Sequence, residues 1–419
     1  MNRRTYLTTG LALGATGFAG VGLGQTEGVD EEDVIGEDPD DDDEFADAGP
    51  ASPPPTGTFD DFETLERWRV RQDIGSFDVD TDRYYEGSQS VVFEADDEGQ
   101  TRIRRTLNDP IDIRTVAPGL AVASERGSVV RIQLQDADGD YVEYSQRVLD
   151  GMPLTRKNFG LTRIRGDPDL SEIFVLQIVH WGDEDADGVQ LWVDDFHFVP
   201  KPETGRVMLQ FHGGYESHYT VALSLLEEYG VTGSAFVPPE RIGTESGNGE
   251  NRLTEGQIAS LAGADWTIGS YAARGSHLDG GSSSELAAEI VGPTEWLEDG
   301  GYADDGRFFA YPGAVYSEAS YELVAEHYDL GFAGSARAQG YAGNPYLCSL
   351  TSSPEPFEAA DVVEWTAEHG GITAIPFYEI DDEDSYEALE ETVSRIAELE
   401  AAGHLETISP VEMAEEYVY

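Results

Sequence analysis

The sequence predicts a multidomain chain, an all-β sandwich followed by an α/β barrel of parallel strands. Two observations carry this. From Thr58 to about Pro200 apolar and polar residues alternate in short runs, the period of half-buried strands, and from Gly205 onward strand-like runs alternate with stretches of helical period. A third observation sets the order: residues 26–57 have almost no apolar side chains and no basic ones, so the packed part of the chain begins after them.

The N-terminal stretch "MNRRTYLTTGLALGATGFAGVGLGQTEG" places Arg3 and Arg4 before Tyr6-Leu7 and a Gly/Ala/Leu run. Residues 1–25 resemble a twin-arginine export signal, and the apolar run is short for a membrane span. The expectation is an exported protein, extracellular or at the cell surface, with no stable membrane span after processing. The segment "EGVDEEDVIGEDPDDDDEFADAGPASPPPTG" cannot bury enough apolar surface to offset chain entropy, so 26–57 is expected to be a disordered, acidic and Pro-rich spacer.

The chain has 83 acidic and 25 basic residues, a formal charge of −58 spread along its length. Such self-repulsion disfavours a compact state unless ions screen it, and at molar salt the Debye length falls to about 3 Å. A halophilic protein is the expectation, and nucleic acid is not an expected partner, because phosphate binding draws on Lys and Arg. The single cysteine, Cys348, excludes an intrachain disulfide and a thiolate cluster.

Within 58–200, "SVVRIQLQD" puts Val130, Ile132 and Leu134 on one face and Arg131, Gln133 and Gln135 on the other. "FVLQIVHW" and "VQLWVDDFHF" behave alike, with Asp/Gly turns between them, which is a β-sandwich pattern. This unit is expected to fold by itself. With "FDDFETLERWRV" and "DTDRYYEGSQSVVFEA", the segment resembles the jelly-roll modules attached to carbohydrate-active enzymes. Asp183, Asp185, Asp187 and Asp194 fall at the offsets of a calcium loop, with Gly188 at the turn, although D-x-D-x-D also arises by chance in so acidic a chain. Trp68, Tyr141, Tyr144 and Trp181 suit either sugar stacking or core packing.

In the barrel, "VMLQF" is the first strand, and Val221, Leu225 and Leu226 form a helical face that ends at Gly230. "GSAFVP" follows, then a helix in "LTEGQIASLAGA" capped by Thr254, "DWTIGSY", a helix in "SSSELAAEIVGPTEWLEDGGY", "RFFAYPG", a helix in "SEASYELVAEHYDLG" and "GITAIPFYEI". The last clear helix carries Leu389, Val393, Ile396 and Leu399 and stops at Gly403. Repeating βα units imply a parallel barrel with function at the C-terminal strand ends.

Residues 205–419 resemble the polysaccharide deacetylase family through "LQFHGGYESHYTVALSLLEEYGVTGSAFVPPERIG", "LTEGQIASLAGADWTIGSYAARGSHL", "WLEDGGYADDGRFFAYPGAVYS", "YDLGFAGSARA" and "GGITAIPFYEI". The resemblance implies a distorted (β/α) barrel and removal of acetyl groups from polysaccharide with a divalent ion. It also implies a T-F-D-D-G motif at the first strand end, with a base and a metal ligand. Gln210-Phe211-His212-Gly213-Gly214 stand there instead. The two metal-binding histidines of the family correspond to Tyr271 and Gly275, and the histidine that protonates the leaving group corresponds to Tyr378, whereas "FAYPG" (Phe309 to Gly313) is kept.

A catalytic metal needs about three protein ligands, and glycines offer none. No metal is therefore expected at the family position, and zinc is not an expected cofactor. Calcium in the sandwich stays open. His212 and Tyr378 remain the candidate proton-transfer residues, and Tyr271, Arg274, Tyr311, Tyr378, His218 and His277 the candidate contacts to a polysaccharide or oligosaccharide. The expected function is a catalytically impaired deacetylase relative that binds surface polysaccharide. Two alternatives stand beside it: a hydrolase with a displaced metal site drawn from His212, Glu216, His218 and His277, and a structural surface or adhesion protein.

Overall fold

A computed structural model describes residues 49–71, 74–95, 100–181, 190–244 and 251–419. The export signal, most of the acidic spacer, and Asp183, Asp185 and Asp187 lie outside these residues, as does the side chain of Trp181. No helix among the described residues is long and apolar enough to cross a membrane.

The strands of the sandwich are β1 (Gly57–Asp60), β2 (Arg69–Val70), β3 (Ser76–Asp80), β4 (Ser90–Glu94), β5 (Gln100–Ile111), β6 (Val116–Ser124), β7 (Ser128–Gln135), β8 (Tyr141–Val148), β9 (Thr155–Lys157), β10 (Gly160–Arg165), β11 (Ile173–Trp181) and β12 (Gln190–Pro200). One sheet runs β3-β4-β12-β6-β9 with β1 beside β12, and the other runs β10-β8-β7-β11-β5-β2. All these ladders are antiparallel, and the alternation seen in the sequence sends Val130, Ile132 and Leu134 into the core between the sheets. Trp68 and Tyr144 belong to that core and Tyr141 is buried too, so these three aromatics are packing residues and not exposed platforms for a sugar. Asp194 is also buried, and its carboxylate accepts hydrogen bonds from the backbone N–H groups of Tyr85 (2.8 Å), Glu86 (3.2 Å) and Asp195 (2.7 Å). That carboxylate pins the 85–86 turn to β12.

The barrel strands are β13 (Gly205–His212), β14 (Ser234–Val237), β15 (Thr267–Ser270), β16 (Phe308–Ala310), β17 (Leu330–Phe332), β18 (Ile372–Phe377) and β19 (Leu405–Thr407). They are parallel, in the order β17-β16-β15-β14-β13-β18 with β19 beside β13. The helices are α1 (Leu223–Tyr229), α2 (Glu255–Ala262), α3 (Ser283–Ile290), α4 (Gly292–Asp299), α5 (Glu318–His327), α6 (Pro356–His369), α7 (Glu383–Ala402) and α8 (Pro410–Glu416). Several start at reciprocal capping boxes, Thr254 with Gln257 for α2 and Ser282 with Glu285 for α3 among them, which satisfy otherwise orphaned N–H groups. Leu389, Val393 and Ile396 of α7 pack with Val207, Leu209 and Phe211 of β13 in one cluster.

Between β17 and β18 no ladder is formed among the described residues, and the segment from Ala333 to Thr351 lies across that side. Gln339 bridges antiparallel to Gly160 of β10 and to Ile372 of β18, so one residue joins a sandwich sheet to the barrel sheet. The side chain of Asn158 donates to the carbonyls of Asn344 (2.7 Å) and Leu347 (2.9 Å) and accepts from the Asn344 N–H (3.1 Å). Trp365 of α6 donates from Nε1 to the Leu161 carbonyl at 2.9 Å. Ala338 completes the sandwich core, and Met152 of the sandwich sits in a barrel cluster with Tyr311, Tyr316 and Leu347. The two units share cores, so the described structure offers no dry boundary at which the sandwich would part from the barrel.

Asn158→Ala leaves the buried Leu347 carbonyl and the buried Asn344 N–H without their partner and takes one of two donors from the Asn344 carbonyl, which keeps the Leu347 N–H at 3.3 Å; each orphaned group costs about 1–3 kcal/mol. We expect denaturant unfolding in concentrated salt to show a clear loss of stability, with tryptophan fluorescence and far-UV circular dichroism moving together in one transition. Separate transitions, with only one of them shifted by the substitution, would show that the seam does not couple the units.

Candidate functional site

Strand β13 ends at His212, and Gly213 and Gly214 follow with φ of +92° and +65°, a left-handed pair that glycine adopts without steric cost. Gln210 and His212 share one face of the strand and point into the barrel. His212 is 1% exposed. Its Nε2–H donates to Gln210 Oε1 at 2.9 Å, and Gln210 in turn donates to the sulfur of Met208 at 3.0 Å.

Three rings close over the imidazole. The centroid of Phe236, from β14, lies 5.2 Å away, that of Tyr271, after β15, 5.2 Å, and that of Tyr378, after β18, 5.7 Å at right angles. Tyr271 is almost buried and its hydroxyl accepts from the Gly313 N–H at 3.2 Å, which ties it to the "FAYPG" turn. Burial also raises the Tyr271 phenol well above its ordinary pKa. Tyr378 is 39% exposed and is the one member of this cluster that reaches solvent.

The glycine at the family's metal-ligand position is boxed in by neighbours. A Cβ placed on Gly213 would come within 2.7 Å of Tyr215 Cε2. Tyr215 is held there by Arg252, whose guanidinium carbon sits 3.7 Å from the ring centroid and whose Nη1 donates to the Gly213 carbonyl at 2.9 Å. Gly275 has a φ of +69°, and its Cβ would meet Tyr271 at 3.4 Å.

Of the other candidates, His218 is fully buried between Phe211 and Tyr215 and donates from Nε2 to the Tyr378 carbonyl at 2.9 Å. It positions the loop that carries Tyr378 and does not face a groove. Tyr311 is 1% exposed in the cluster with Phe309 and Tyr316, so it too is a core residue and not a sugar platform. Its motif is retained for packing. Arg274 is bound to Glu289 of α3 through its backbone N–H and guanidinium, which directs it away from His212. His277 is exposed beside the Pro312-Gly313 turn, where a Cβ on Gly313 would lie 2.8 Å from its Nε2. Glu216 accepts from Asn251 and Gln257, both at 3.1 Å. The four residues of the displaced metal site thus point in four directions, and no group of three or more His, Cys, Asp or Glu among the described residues is placed to hold a metal ion.

Residues 200–330 match the family model described as polysaccharide deacetylase. That match runs from the end of β12 to the first residue of β17. Similar solved structures include a Streptococcus pyogenes deacetylase in complex with acetate, at 20% identity over 34% of this chain and 62% of that one, with a TM-score of 0.31. The chain thus spans less than two thirds of that protein. A CE4 family pseudoenzyme from Bacillus anthracis is 14% identical over 52% of this chain and 68% of that one, with a TM-score of 0.35. A family 11 carbohydrate-binding module from Clostridium thermocellum, in complex with a mixed-linked tetrasaccharide, is 13% identical over 35% and 96%, with a TM-score of 0.27. No curated protein matches the sequence.

A divalent ion of the deacetylase kind does not fit the residues at these strand ends. Gly213 and Gly275 bring no donor atom, Tyr271 brings a phenol whose proton is harder to remove than usual, and His212 has its Nε2–H committed to Gln210. The sequence shows the substitutions themselves but not what fills the space. Tyr215, Arg252, Gln210 and Phe236 do so, and the one sequence signal was Tyr215, placed two residues after the glycine whose site it covers.

Burial and the nearby His218 lower the His212 pKa to about 3, and burial lowers that of His218 to about 4. Both imidazoles are neutral in the folded state and would take up protons near pH 6.5 when unfolded, so their contribution is complete above about pH 6.5 and is lost as pH falls toward the folded values. Comparing wild type with His212→Gln cancels the carboxylates and His218. We expect the wild type to lose stability faster below pH 6.5, by up to about 1.4 kcal/mol per pH unit for one proton. Parallel stability-versus-pH curves would mean that His212 is not buried uncharged.

Proposed function

We propose that this protein is an exported, cell-surface or extracellular polysaccharide-binding member of the deacetylase type that does not carry out the family's metal-dependent hydrolysis. One observation carries the reading. The imidazole at the base position is sealed beneath Phe236, Tyr271 and Tyr378, and the position of the metal-binding carboxylate is filled by the ring of Tyr215. A deacetylase must polarise the acetyl carbonyl and deprotonate water at one point, and the closed cluster supplies neither a Lewis acid nor an open base.

What the arrangement retains is recognition. Tyr378 presents a partly exposed aromatic ring at the C-terminal strand ends, where parallel barrels place their ligands, with its hydroxyl bonded to Tyr271 and its backbone held by His218 from behind. An exposed aromatic face suits the C–H faces of sugar rings.

Purified protein, dialysed against zinc and assayed in concentrated salt, is expected to hold no stoichiometric zinc and to release no acetate from acetylated oligosaccharides. Gly213→Asp alone is expected to leave both results unchanged, because the new side chain meets Tyr215. One tightly held zinc per chain with chelator-sensitive acetate release would overturn the reading in favour of an active hydrolase. Binding is tested separately, by titration with soluble acetylated glycans. Tyr378→Ala should weaken it several-fold, for a loss of about 1 kcal/mol. No binding to any glycan would leave a structural surface protein as the better account.

A further inference from the structure

The two units also meet at a place that is not filled. The turn after β3, the loop between β8 and β9, and the start of α5 border a cavity of about 570 Å³, within the roughly 300–1,000 Å³ of small-ligand pockets. Asp82, Arg83 and Tyr84 of the turn line it with Met152 and Leu154 of the loop, and Glu318, the first residue of α5, lines it from the barrel. None of the residues packed around His212 takes part in this lining.

The backbone around the cavity is held at many points. The Asp80 carboxylate accepts the N–H groups of Asp82 (2.8 Å) and Arg83 (3.1 Å) and the indole N–H of Trp192 (2.7 Å). The Arg83 guanidinium carbon lies 4.2 Å from the Trp192 ring centroid, and its Nη2 donates to the Met152 carbonyl at 3.0 Å, which ties the turn to the loop. With the Asp194 bonds to Tyr85 and Glu86, the chain is fixed on both sides of Tyr84. On the barrel side Ser317 and Ser320 form a reciprocal capping box, and Glu318 stands at the first helical position. Tyr84 is 47% exposed, more than any other tyrosine among the described residues. An aromatic ring exposed on a pinned backbone offers a stacking face that costs little to order on binding.

We propose that this cavity binds a neutral saccharide chain, held by the sandwich and the barrel together. The choice of a saccharide rests on the polysaccharide-binding reading given above. The lining matches the two sides of a sugar ring: Tyr84, Met152 and Leu154 offer apolar surface to its C–H groups, and the carboxylates of Asp82 and Glu318 accept hydrogen bonds from its hydroxyls. Those carboxylates set the charge class as well. Arg83, the one base among the described lining residues, is engaged by Trp192 and Met152, so a uronate or sulfated ring meets Asp82 and Glu318 as like charges at contact distance. Asp82 and Tyr84 come from one unit and Glu318 from the other, so the site is complete only while the seam is docked.

The test titrates the full chain calorimetrically in concentrated salt with neutral hexasaccharides of cellulose, xylan, mannan and chitin. Hexagalacturonate serves as the acidic chain, and choline as a small organic cation, which an aromatic ring beside carboxylates also suits. At least one neutral hexasaccharide is expected to bind more tightly than either hexagalacturonate or choline. Tyr84→Ala and Glu318→Gln, both at exposed positions, are each expected to weaken that binding by about fivefold and to leave the unfolding temperature at the wild-type value. Unchanged affinity in either variant would overturn the junction site, and a loss in Tyr378→Ala alone would leave the polysaccharide-binding reading standing without it. Hexagalacturonate bound as tightly as the best neutral chain would overturn the proposal too, as would choline bound more tightly than any saccharide. Binding of no saccharide at all would remove both readings together.

Discussion

The three hydrogen bonds of the Asn158 side chain are the contact on which the rest of the architecture depends. The barrel sheet is open between β17 and β18 among the described ladders, and the crossing from Ala333 to Thr351 holds only a short 3-10 turn, Pro345–Leu347, and isolated backbone bridges. Asn158 ties that crossing to the sandwich, taking the Asn344 and Leu347 carbonyls and the Asn344 N–H. Once the crossing is fixed, Gln339 can bridge β10 and β18, Ala338 can enter the sandwich core, and β18 is held at the register that presents Tyr378. A buried polar network of this kind is exacting: fully satisfied it specifies one docking of the units, and a single missing partner leaves costly orphan groups.

The closed strand ends follow from the same economy of polar groups inside the barrel. The resemblance to the deacetylase family implies an ion held by an aspartate and two histidines at three of these positions. The residues that stand here need none. Glycine at 213 and 275 removes donors, tyrosine at 271 and 378 brings apolar faces, and His212 loses its charge through burial. The three changes fit one another, because a lone carboxylate among Phe236, Tyr271 and Tyr378 would be an unpaired buried charge, whereas a neutral imidazole bonded to Gln210 is not. Arg252 lies over Tyr215 at the edge of this cluster and donates to the Gly213 carbonyl.

Fold class was legible in the sequence because it rests on period alone. The alternation of Val130, Ile132 and Leu134 and the helical spacing of Leu389, Val393 and Ile396 each report a buried face without reference to the rest of the chain. The lack of donor side chains at Gly213 and Gly275 was legible for a similar reason, since an absent side chain needs no geometry. Direction was not legible. Tyr311, His218 and Arg274 sit beside strand ends in the sequence, yet Tyr311 turns into a core, His218 turns behind the loop it supports, and Arg274 is drawn to Glu289. Nothing in periodicity distinguishes a tyrosine that lines a groove from one that fills a core, because both are amphipathic and both follow a strand. The seam was hidden for the opposite reason: Asn158 and Asn344 are 186 residues apart, and pairing at that separation leaves no local pattern.

The charge balance ties these features together. Carboxylates crowd the surface of this chain, and a lysine or arginine placed at random among them would be drawn into an ion pair. Arg105, Arg156 and Arg274 follow that rule with Asp60, Asp195 and Glu289, each partner being buried or nearly so. In these pairs the base sits where an acidic group would otherwise be stranded in the interior, which makes it a structural requirement of so acidic a protein. Lys157 departs from the rule. Its ammonium is buried over the ring of Tyr316 at the seam, and burial alone draws its pKa down to about 7. A cation–π contact is a weak hold on a charge, and the Lys157 Nζ has no hydrogen-bond partner among the described residues. The seam is thus joined largely by neutral amides and shared side chains, contacts that salt screens far less than the paired charges of the surface.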